Sequence, residues 1–218
     1  MTDFNEIEQN FDFDFEDFDF EVACELKTRY IKPPKQKNLN FNQINFKYAS
    51  DLVDEINFKN LDRVFCRVSG KFIFGDFLEA FIVKNNILVE EMTIETLSLS
   101  AENIISLETL ILKDYVQKLH IITSDYFYSH ERNKLIKFAY EKLDIDNKFQ
   151  LSVCRTHCKI TQFKTNGGKH IVIHGSSNLR SSDNLEQFVI EDCKEMYYFN
   201  NDYHKKIEQK FKTINYGK

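Results

Sequence analysis

The chain has 218 residues, 42% of them apolar, which allows one ordinary core plus a tail, or at most two small domains. No run of eighteen uncharged apolar residues occurs and no basic-then-apolar leader opens the chain, so neither a membrane span nor a signal peptide is expected. Five cysteines, odd in number and without small-domain spacing, predict reduced thiols in a cytoplasm rather than a disulfide framework, and the net charge of −5 is unevenly spread.

Residues 1–25 contain ten Asp and Glu and no Lys or Arg, so the rest of the chain carries +5. Within that stretch "FNEIEQNFDFDFEDFDFE" alternates Phe with acids. Mutual repulsion opposes packing, which predicts a disordered segment that engages a partner through its aromatic residues. "IKPPKQKNLN" follows as an extended linker, so residues 1–45 are expected to be tail and linker and residues 46–218 the folded domain. A mildly basic body is compatible with a polyanionic partner.

From residue 48 the pattern predicts, in order, a short helix over 48–56 with Ser50 or Asp51 near its start and a strand over 63–70 closed by Gly70. A helix over 75–85 and two short β-like stretches within 87–100 come after it. A helix over 100–115 carries Ile104, Leu107, Leu110 and Ile111 on one face, with Ser100 as N-cap. A buried-type strand over 118–127 leads to a helix over 129–143, with Ser129 at its cap and Glu131 in its first turn. Three strands come next, over 149–163, 169–178 and 186–192, and a basic amphipathic helix over 202–214. Alternating strands and helices indicate an α/β domain, and the short Gly- and Asn-containing turns between the last strands require partial antiparallel pairing. The expected fold is a mixed sheet flanked by helices, with no internal repeat.

The chemistry concentrates in "HCKITQFKTNGGKHIVIHGSSN", residues 157–178. With a period of two, Val153, Arg155, His157 and Lys159 would share one strand face, and His170, Val172, His174, Ser176 and Asn178 one face of the next. Pairing of these strands would aim His157, Lys159, Ser176 and Asn178 into one pocket with Val172 as its apolar wall. The same alternation turns Cys154 and Cys158 away from His157 as small core residues, and no C-x-x-C or H-x-x-x-H pair is present, so no metal site and no cofactor are expected. His120 and His130 are expected to be structural or exposed, and His174 either lines the pocket or is a hydrogen-bonded core residue.

His-x-Lys joined to Gly-Ser-x-Asn on the next strand, with an acid beyond, resembles the signature of the phospholipase D superfamily. The run "NLRSSDNLEQFVI" is similar to the segment after that signature in bacterial and phage-encoded phospholipase D-like proteins. The resemblance is best over residues 150–192. One position departs: Lys164 stands where the superfamily signature has an aspartate.

The resemblance implies phosphodiester cleavage without metal. His157 would be the nucleophile forming a phosphohistidine, while Lys159, Ser176 and Asn178 neutralise phosphoryl oxygens. Glu186 would orient an imidazole, with Glu191 and Asp192 close by in sequence as alternatives, and Arg155, Ser177 and Arg180 are candidates for binding substrate. Because one chain carries one signature, the second histidine would come from a second copy, in a two-fold homodimer with a composite site. Nucleic acid suits a basic body without membrane anchors better than lipid, and the phage-type resemblance implies a mobile-element protein in a bacterial cytoplasm. The alternative is an inactive phospholipase D-like module that binds nucleic acid or a protein, with the acidic tail as recruiter or autoinhibitor.

Overall fold

Side chains that alternate with a period of two cover both faces of the central sheet in this protein, whose structure, a computed structural model, describes residues 48–68, 72–180 and 184–212. The strands are β1 (Arg63–Val68), β2 (Val89–Thr96), β3 (Leu119–Ser124), β4 (Phe149–Cys154), β5 (Ile160–Thr165), β6 (His170–Gly175) and β7 (Glu186–Asp192). They form one seven-stranded sheet in the order β1-β7-β6-β5-β2-β3-β4. β2, β3 and β4 run parallel, each joined to the next by a helical crossover, whereas β5, β6, β7 and β1 pair antiparallel.

One face is apolar. Met92, Ile94, Leu119, Ile121, Phe149, Leu151, Phe163, Ile171, Ile173, Phe188 and Ile190 all point into a single core. That core is shared with α1 (Ala49–Glu55), α2 (Phe74–Lys84), α3 (Ala101–Leu112) and α5 (Lys137–Leu143). Phe77 packs against Phe188 at 5.0 Å between ring centroids, joining α2 to β7. Complete burial of a side chain this large contributes about 2–3 kcal/mol.

The opposite face is covered by α6 (Lys194–Lys210), where Ile207 meets Ile122 and Cys154. It is far more polar. His120 bonds to Ser152 at 2.9 Å there, and burial pushes its imidazole down to about 4. Above pH 6.5 the ring is neutral both folded and unfolded. Below that, the unfolded chain takes up a proton that the folded chain refuses until about pH 4, so stability falls through this window. We expect urea denaturation to show a loss of about 2 kcal/mol between pH 6.5 and 5, reduced in His120→Asn. An identical pH slope in that variant would refute the assignment.

The element order follows the expectation apart from the stretch 149–163, described with the site, and several boundaries differ in detail. The stretch 87–100 holds one strand, β2, followed only by an isolated bridge from Leu99 to Leu179. The helical region expected from 129 begins at Asp125 as α4 (Asp125–Glu131), because the Ser124 hydroxyl accepts from Phe127 N at 3.0 Å. Ser129 lies inside α4 and bonds back to Tyr126 O, and a π-helical turn (Arg132–Ile136) leads into α5. The C-terminal helix starts earlier than 202, at Lys194, whereas α1 follows Tyr48 with Ser50 and Asp51 in its first turn, as expected. The acidic Phe-rich tail and the linker expected over 1–45 lie outside the described residues, as does Gly70.

Candidate active site

The stretch 149–163 is two strands, not one. β4 ends at Cys154 on the sheet edge beside β3, and β5 starts at Ile160 between β6 and β2. Residues 155–159 therefore cross the ends of β3 and β2, and the alternation that would put Val153, Arg155, His157 and Lys159 on one face stops at Cys154. Thr156 makes the break: its hydroxyl accepts from Cys158 N at 3.1 Å and donates to the buried Glu95 carboxylate at the end of β2. Arg155 pairs with Asp125 at 3.2 Å instead of facing the pocket. Cys154 is buried as expected, and burial raises its thiol to about 12, but Cys158 is exposed because the crossover carries it away from the sheet. The strand argument against a metal cluster thus does not hold; among the described residues no group of three or more His, Cys, Asp and Glu is arranged to hold a metal ion.

The two halves of the motif nevertheless meet. β5 pairs with β6 so that Ile160 faces His174, and Gly175 N donates to Lys159 O at 3.3 Å. Beyond β6 the chain is pinned on both sides. Ser176 N donates to Gln187 O at 2.8 Å, and the Ser176 hydroxyl accepts from Gln187 N at 3.0 Å and donates to Glu186. Asn178 Oδ1 accepts from Leu97 N at 3.2 Å, Leu179 N donates to Thr96 Oγ1 at 3.1 Å, and Ser100 N donates to Leu179 O at 2.8 Å. With its oxygen committed to a backbone N–H, Asn178 keeps its amide NH2 as the donor for a ligand.

Between these segments lies a hollow. Lys159, His174, Gly175, Ser177, Glu95 and Thr96 line its polar side, and Phe74, Ile94, Ile173 and Phe188 its apolar side. Ser177 Oγ is buried with no hydrogen-bond partner, an expense a bound acceptor would remove. Ile173, not Val172, forms the wall; Val172 is fully buried within the sheet. Lys159 Nζ donates to the carbonyl of His157 at 2.7 Å, and His157 itself is exposed on the crossover. Arg180 is exposed just past the bridge at Leu179.

The sequence placed Glu186 ahead of Glu191 as the partner of an imidazole. The carboxylate that meets the imidazole lining the hollow is Glu191, 3.2 Å from His174 Nε2, whereas Glu186 accepts from Ser176. Burial alone would raise the Glu191 carboxyl, but the bonds from His174 and from Arg63 Nη2, at 2.5 Å, outweigh it and hold it below the usual range. Only the register of the folded sheet shows it: Arg63 lies directly opposite Glu191, and Glu191 opposite Val172, two residues before His174. His120 is structural, and His130 is exposed on α4, bonded to Tyr126 O at 2.7 Å.

This arrangement, a mixed sheet flanked by helices with Lys159 beside Gly175 and Ser177 at one end, is a phospholipase D-like fold. Solved structures bear this out at the level of fold. The chain is similar to the phospholipase D family member Nuc from Salmonella typhimurium (TM-score 0.50, 12% identity, 70% of this chain and 99% of that one). It is also similar to NucT from Helicobacter pylori (TM-score 0.51, 13% identity, 71% and 100%) and to polyphosphate kinase from Porphyromonas gingivalis (TM-score 0.55, 10% identity, 86% and 31%). No family model matches the sequence, and comparison with curated proteins finds no sequence relative.

Proposed function

We propose that the chain is a metal-independent phosphodiesterase acting on nucleic acid, with His157 as nucleophile, in a two-fold homodimer. The observation that carries this reading is the juxtaposition of Lys159 with Gly175 and Ser177 at one end of a phospholipase D-like sheet. A phosphodiester is a stable anion, and attack on it needs its oxygens neutralised. Lys159 supplies charge, and the Asn178 amide and the Ser177 hydroxyl supply donors, while the one Ser176 hydroxyl proton is given to Glu186. A neutral His157 imidazole attacks phosphorus, forming the P–N bond as the P–O bond to the leaving group breaks. The protonated imidazole of His157 from a second copy gives its proton to the departing oxygen. Water then attacks phosphorus, returns a proton to that second imidazole and releases His157. Arg155 and Arg180, both exposed, add attraction for the backbone of the nucleic acid, which salt weakens. No helix among the described residues is long and apolar enough to cross a membrane.

The test is incubation of purified protein with plasmid, single-stranded DNA and RNA in EDTA, beside His157→Ala. Cleavage in chelator that disappears in the variant is the expected result. Equal cleavage by both proteins would overturn the reading, and binding without cleavage would leave the inactive module. A second expectation concerns the acidic tail: if it covers the basic site, deleting residues 1–30 raises nucleic-acid affinity measured by fluorescence anisotropy. An unchanged affinity assigns the tail to recruitment of a protein partner.

A further inference from the structure

The crossover that carries His157 has no strand ladder to hold it, yet two buried polar side chains converge beneath it. Glu95 and His204 have side chains 0% and 1% exposed, and His204 Nε2 meets Glu95 Oε2 at 3.2 Å. The other carboxylate oxygen accepts the Thr156 hydroxyl, which in turn accepts from Cys158 N at 3.1 Å. One hydroxyl therefore bridges residues 156 and 158, with His157 between them. Burying a carboxylate is costly unless its oxygens are bonded, and an apolar residue at this end of β2 would be cheaper for stability alone. Glu95 also shares the hollow with Lys159 and lies opposite Ile160 in the β2–β5 ladder.

We propose that Glu95 is a positioning residue for the site, holding the 155–159 crossover through Thr156 and itself held by His204 of α6. The inference rests on the function proposed above for its catalytic meaning, but not for its structural content. α6 packs on the face of the sheet opposite the apolar core, so through His204 it sets the segment that presents His157 and Lys159. His204 Nε2–H donates to the carboxylate, which fixes the imidazole by one edge while Nδ1 stays buried without a partner. Thr156 is the link best suited to a test, because valine matches its shape and removes only the hydroxyl.

In the full chain, Thr156→Val is expected to raise amide hydrogen exchange in peptides spanning 155–159 by about tenfold or more, the scale of losing a hydrogen bond to a charged group. Peptides from β2, β5 and α6 keep their wild-type exchange, and Thr156→Ser, which retains the hydroxyl, restores the crossover. Where wild type cleaves phosphodiesters, Thr156→Val lowers kcat by about tenfold or more with KM unchanged, and serine rescues it. Unchanged exchange in Thr156→Val, failure of serine to rescue, or loosening spread over the whole sheet would overturn the proposal. Absence of cleavage by the wild type would count against the function alone, since the exchange result stands without it.

Discussion

On the function proposed above, His157→Ala is expected to lower phosphodiester cleavage by about 10³-fold or more without changing the protein's elution from a sizing column. The expectation comes from where the residue sits. His157 is exposed on a crossover whose backbone is held by Thr156 and whose neighbour Lys159 folds back on its carbonyl, so truncation removes an imidazole without leaving a cavity. A two-fold composite site makes a sharper prediction. If each dimer has one centre that needs both copies of His157, co-expressing wild type and variant in equal amounts and letting them pair at random leaves about a quarter of the activity. A site complete within one chain leaves about half. The second result would reject the composite site and direct attention to His174, the imidazole that already lines the hollow and is held by Glu191.

Gly175→Ala destabilises the fold by about 3 kcal/mol or more and lowers the thermal midpoint by roughly 6–12 °C. A Cβ at this position would meet β7 backbone, with Gln187 O nearest and Phe188 Cα at 2.6 Å. Neither atom can swing aside as a side-chain tip would, because Gly175 and Phe188 are register partners and Phe188 is buried in the aromatic core. Space next to β7 is thus a direct reason for glycine ahead of the two serines. The strain would also push Ser176 off Gln187 and loosen the turn to Asn178, so activity falls with stability. A melting temperature within 1–2 °C of wild type, measured by calorimetry, would refute the close approach.

The identity of most elements was legible because their burial is one-sided. The apolar spacing of α3, the buried run of β3 and the turns around β6 arise from local period and turn chemistry. The start of α4 was displaced because Ser124 and Ser129 are equally good caps in sequence, and only Ser124 has a free N–H three residues on to accept. The break at Arg155–Lys159 was invisible because β-forming residues run through it without glycine or proline, and what ends β4 is a bond to Glu95, 61 residues away. Glu191 lost to Glu186 for the same reason: pairing with Arg63 spans 128 residues.

The sequence by itself determined that a mixed α/β sheet forms and that Lys159 lies beside Gly175, since a hairpin's register is set by the short turn between its strands; that His157, Ser176 and Asn178 share one pocket with Lys159 remains part of the proposal. Tertiary structure alone decided that β4 and β5 lie apart, that Thr156 holds the crossover through Glu95 and His204, and that His174 is bonded to Glu191. Each of these is a polar contact between residues distant in the chain, and no local period encodes which buried donor finds which acceptor until the strands have taken their order.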